Sequence, residues 1–91
     1  MTNNVIIVLN RFKESLQLLL STYRETNFAY EKIYDCMWYE YKRFDNMARD
    51  MFYYDLIKTS DIEELNQKSF DIFTKYIDLL HEARKEKEKQ A

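Results

Sequence analysis

The chain has 91 residues, enough for one small domain, and at that length folding buries only about two thirds of the surface the unfolded chain exposes. Its formal net charge of −2 comes from interleaved acidic and basic residues, so no whole-domain field draws in nucleic acid or anionic lipid. Glycine and proline are both absent, which excludes phosphate-cradling loops and most tight hairpins and leaves long helices.

Lys, Asn, Ile and Tyr are plentiful while Ala is scarce, a balance that AT-rich codons produce and that points to a low-GC bacterium or one of its phages. The single cysteine, Cys36, has no internal disulfide partner, and no charged leader with an apolar stretch opens the chain. The apolar run at 5–9 is too short to span a bilayer. A soluble, cytoplasmic protein without a membrane partner is expected.

The first element is set by Val5, Leu9, Phe12, Leu16, Leu19 and Tyr23, whose alternating steps of four and three keep one stripe on one helix face. Asn3 or Asn4 suits the N-cap, and Thr22 with Glu25 reads as a capping box for the next helix, which places the first helix at about 4–21. The second, at about 23–57, carries Tyr30, Ile33, Tyr34, Met37, Trp38, Tyr41, Phe44, Ala48, Met51, Phe52 and Leu56 on one broad face. Ser60 with Glu63 reads as another capping box. The third helix, at about 61–88, places Ile62, Leu65, Ser69, Ile72, Phe73, Tyr76, Leu80 and Ala83 inward, and the alternating charges of 84–91 predict a frayed tail.

Short connections fold three such helices into an all-α antiparallel three-helix bundle spanning 1–91. At 1.5 Å per residue the predicted lengths are roughly 27, 50 and 42 Å, so the first helix covers only half of the second. Phe44, Met47, Met51, Phe52 and Leu56 then lie in an uncovered half, which a second copy in a homodimer or another protein would complete. Tyr39, with Phe28 and Tyr53, falls on the opposite outer face of the second helix, where tyrosine suits an interface because it brings area and a hydrogen bond at low entropic cost. Ile7 and Leu18 likewise point away from the stripe of the first helix. Asp45 and Asp55 project near the apolar face, where a rim position beside Arg49 or Lys58 would satisfy them.

Catalytic chemistry has little to draw on. Asp78 and His81 stand three apart, but a di-metal helical site needs further inward carboxylates and a second histidine. Cys36 reads as a small apolar filler. Lys42, Arg43 and Arg49 beside Tyr39 and Tyr41 form the best nucleic-acid or nucleotide candidate, diluted by Glu40, Asp45 and Asp50. The sequence therefore points to a non-enzymatic, cofactor-free helical interaction module, of the kind a phage or mobile element directs against a host enzyme or defence system. Its predicted partner-binding residues are Phe44, Met47, Met51, Phe52, Leu56, Tyr39 and Tyr53. The alternatives are the nucleic-acid binder and a structural coiled coil in which the first two helices fuse into a rod of about 80 Å.

Overall fold

The computed structural model describes residues 3–90, which form three helices: α1 (Asn3–Glu25), α2 (Tyr30–Tyr53) and α3 (Thr59–Gln90). They pack pairwise as an antiparallel up-down-up bundle of 51 × 17 × 16 Å. The first two helices are therefore folded back on each other and not fused into a rod. Ala91, the last residue of the expected domain and tail, lies outside the described residues, as do the first two positions.

The core follows the apolar stripes. Val5, Leu9, Phe12 and Leu16 are buried from α1, Ile33, Met37 and Ala48 from α2, and Leu65, Phe73 and Leu80 from α3. One correction concerns α1, where Leu20 is buried and Leu19 only half so. A true period of 3.6 residues steps by four after Leu16 and then by three to Tyr23.

The helix boundaries differ from those expected, for physical reasons. Thr22 does not begin a helix: its hydroxyl donates back to the Leu18 carbonyl at 2.8 Å, four residues earlier, inside a continuing α1. The break falls at 26–29, where the Thr26 hydroxyl accepts the Phe28 amide at 3.4 Å, a local turn that competes with helix. Ala29 then occupies the N-cap of α2 with no side-chain bond to offer. Asn3 and Asn4 are already helical.

The α2–α3 corner comes four residues earlier than the apolar pattern suggests. Asp55 adopts φ 58°, the left-handed conformation that usually falls to glycine, which this chain lacks. Around it the Asp55 amide donates to the Phe52 carbonyl at 3.1 Å and the Leu56 amide to the Met51 carbonyl at 2.8 Å. This pair of bonds is a Schellman motif, and it satisfies carbonyls that the end of α2 would otherwise leave open. At the start of α3 the acid that caps is not Glu63. Asp61, itself buried, accepts the Lys58 amide at 3.2 Å, the returning half of a capping box moved by two positions.

With these ends, α1 and α2 have 23 and 24 residues, and α3 has 32. The expected length mismatch disappears: α1 runs along the whole of α2. The charged segment after Ala83 is helical to Gln90 and largely exposed, and it meets the end of α1 through Lys87, because the longest helix reaches past α2. There the Lys87 ammonium donates to the carbonyls of Tyr23 and Thr26 and lies 3.9 Å from the Tyr23 ring centroid.

Candidate functional site

Closing the helices over one another redistributes the predicted contact residues. Phe44 is only 4 % exposed, its ring 4.8 Å from that of Phe12, so it belongs to the core and not to an open half. This is a correction that follows directly from the longer α1. Met51 is half-buried. Met47 is exposed where α1 and α2 meet. Tyr39 is exposed on the outer face of α2, fourteen residues before Tyr53 and thus roughly 21 Å from it along the helix.

What the structure does bring together is the corner. Phe52, Tyr53, Tyr54 and Leu56 follow one another around the Schellman turn, and the last three are 78, 70 and 60 % exposed. The rings of Tyr53 and Tyr54 meet edge to face at 5.4 Å. Tyr54 was not singled out from the sequence, although a signal existed: three successive aromatic residues at 100° steps cannot all face inward from a helix. Asp55 lies exposed within this cluster, while Asp45 is held at the rim by Arg49 at 3.1 Å. Apolar rings surrounded by charges on a fixed backbone form the surface type that protein partners dock onto.

The aromatic density of α2 resolves into a ladder. Tyr30, Tyr34, Trp38 and Tyr41 contact one another in sequence at 5.9, 6.5 and 6.1 Å, and Trp38 and Tyr41 both meet Phe73 of α3 at 4.7 Å. These rings seal the α2–α3 seam, and their stacking and edge contacts add to burial. Tyr41 thus faces inward while Tyr39 faces out, so the two do not form one stacking platform beside Lys42. Arg43 and Arg49 are each paired within α2, to Glu40 at 3.6 Å and Asp45 at 3.1 Å.

At the other end of the bundle Tyr30 Oη lies 2.7 Å from His81 Nδ1, and the Arg84 guanidinium sits 4.5 Å from the Tyr30 ring centroid. The hydroxyl donates in this bond when the ring proton is on Nε2. Burial pushes the Tyr30 hydroxyl above its ordinary value of 10.0, against the lowering pull of Arg84. His81 is thereby a partner of Tyr30 and stands away from any carboxylate cluster; among the described residues no three His, Cys, Asp or Glu side chains gather as metal ligands. Cys36 is exposed rather than packed as a filler, because it lies on the outer side of α2 from Met37. Among the described residues no helix is long and apolar enough to cross a membrane.

Two shallow grooves follow the helix seams. One, of about 480 Å3, lies between α1 and α2 and is lined by Val8, Leu18 and Met47 with Arg11, Glu14, Glu40 and Arg43. The other, of about 360 Å3, lies between α1 and α3, with Ile6, Ile72 and Tyr76 between Lys13 and Lys75. Comparison with protein-family models, with curated proteins and with solved structures finds no match to this chain.

Proposed function

We propose that the protein is a non-enzymatic helical interaction module that docks onto a partner protein through the α2–α3 corner. The observation that supports this reading is the exposed display of Phe52, Tyr53, Tyr54 and Leu56 around Asp55, on a turn whose backbone is fixed by two hydrogen bonds. Leaving such side chains in water forgoes about 25 cal/mol for each Å² of apolar surface, and a partner's pocket recovers it. A fixed backbone also lowers the ordering cost of binding. Small size and an AT-rich-codon composition suit an inhibitor that a phage or mobile element directs at a host enzyme or defence system.

The test is capture from the native host, identification by mass spectrometry, and affinity measurement with the purified partner. Tyr53→Ala and Leu56→Asp should each weaken binding by about tenfold or more, with Lys75→Ala unchanged. A partner bound equally well by both corner variants removes the proposal. Binding that survives roughly 0.5 M salt fits apolar docking, whereas loss by orders of magnitude points to phosphate contacts.

A further inference from the structure

We propose that the α1–α2 face is self-complementary and is covered by a second copy of this chain, related by a two-fold axis that crosses both helices. This goes beyond docking through the corner and uses a different surface.

The register comes from the core. Phe12 meets Tyr41 at 6.1 Å and Phe44 at 4.8 Å, which brings Arg11 level with Arg43 and Glu14 level with Glu40 along the antiparallel pair. The groove between the helices therefore holds two arginines at one level and two glutamates about 4.5 Å further along. Like charges face each other across it. Glu40 and Arg43 relieve one another at 3.6 Å, while Arg11 and Glu14 have no ion pair among the described residues.

The pattern around these charges is a palindrome. On α1, Ile7, Arg11, Glu14 and Leu18 fall on one outward row and read apolar, positive, negative, apolar about the midpoint between Arg11 and Glu14. On α2, Cys36, Glu40, Arg43 and Met47 form the matching row, with its midpoint between Glu40 and Arg43. The register just described puts the two midpoints at the same level.

A single two-fold axis across the helices at that level sets Arg11 over Glu14 of the second copy and Glu40 over its Arg43. The same operation places Ile7, 48 % exposed, against Leu18, 69 % exposed, and Met47 against Cys36. Each copy thus supplies what the other lacks, as an isologous interface requires. A two-fold axis along the groove would instead stack Arg11 on Arg43 and Glu14 on Glu40, so charge selects the crosswise axis. The product is a four-helix layer of α1, α2 and their copies, flanked by the two α3 helices, with the corners of the two copies at opposite ends.

Sedimentation equilibrium over a concentration series tests this. The wild type should approach twice the monomer mass, and Arg11→Glu, which sets glutamate over Glu14, should weaken association by roughly a hundredfold or more. The double variant Arg11→Glu/Glu14→Arg restores the alternating pattern and should restore the dimer, with helical circular dichroism unchanged throughout because both residues are exposed. Phe52→Asp should leave the mass as in the wild type, since the corner lies outside this interface. A wild type that stays monomeric, an Arg11→Glu variant that stays dimeric, a charge-swapped variant that stays monomeric, or a dimer split by Phe52→Asp would each overturn the inference. None of these results bears on capture of another protein by the corner.

Discussion

The Lys87 side chain closes the C-terminus of α1 by donating to the Thr26 carbonyl at 2.9 Å, across 61 positions of sequence. A cation at the negative end of a helix also favours its dipole, and the Tyr23 ring beneath it adds a cation–π contact. Lys87→Met keeps the apolar stem and removes the charge. It should lower unfolding free energy in urea by about 1 kcal/mol, while the exposed Lys85→Met changes it by less than about 0.5 kcal/mol.

Asp55 holds a left-handed conformation that costs any residue with a Cβ. Asp55→Gly should raise stability by about 0.5 kcal/mol or more, and Asp55→Val should lower it by about 1–2 kcal/mol, both read from urea midpoints at constant slope. Equal stabilities for the two variants would mean that the corner relaxes out of this conformation.

Tyr30 links stability to alkaline pH. Its folded-state pKa is raised chiefly by burial, so the folded chain holds the proton more tightly than the unfolded chain does. The resulting stabilisation is complete below the ordinary value of 10.0 and is lost as pH rises through the raised one. Melting temperatures measured from pH 9 to about 11.5 should therefore fall more steeply for the wild type than for Tyr30→Phe, which has no proton to lose there.

Phe44 and Leu56 separate core from corner. Phe44→Ala should cost about 3–5 kcal/mol because it opens a cavity against Phe12. Leu56→Ala should change stability by less than about 0.5 kcal/mol, since its side chain already meets water. Comparable losses at both positions would mean that the corner packs against its own chain.

The contrast between those two residues shows what the sequence carries. Periodicity marks Val5, Leu9, Phe12, Leu65 and Leu80 as interior and Tyr39 and Tyr53 as outside, because side-chain direction repeats with the helix; Phe28 is exposed for another reason, since it lies in the 26–29 turn and not on the outer face of α2. Periodicity does not fix where the helices stop. Thr22 and Glu25 have the spacing of a capping box, yet α1 runs on to a turn at Thr26, and the carbonyls of Tyr23 and Thr26 are met by Lys87, which no local window contains. Asp55 substitutes for the glycine that would have announced a turn. A first helix that stops at 21 and turns straight into the second leaves Phe44 uncovered, whereas an α1 that runs to Glu25 before the 26–29 turn lies over it. The charge rows on α1 and α2 come to one level because Phe12 meets Phe44, a register that only the packed bundle reveals.

The parallel arrangement of α1 and α3 has a temporal consequence. α1 is synthesised before α3 yet packs against it as well as against α2, so an α1–α2 hairpin alone leaves Val5, Leu9 and Leu16 short of neighbours. Secure packing of α1 therefore has to wait for the translation of α3, and a nascent chain halted within α3 would expose the greasy side of α1 to whatever binds it first.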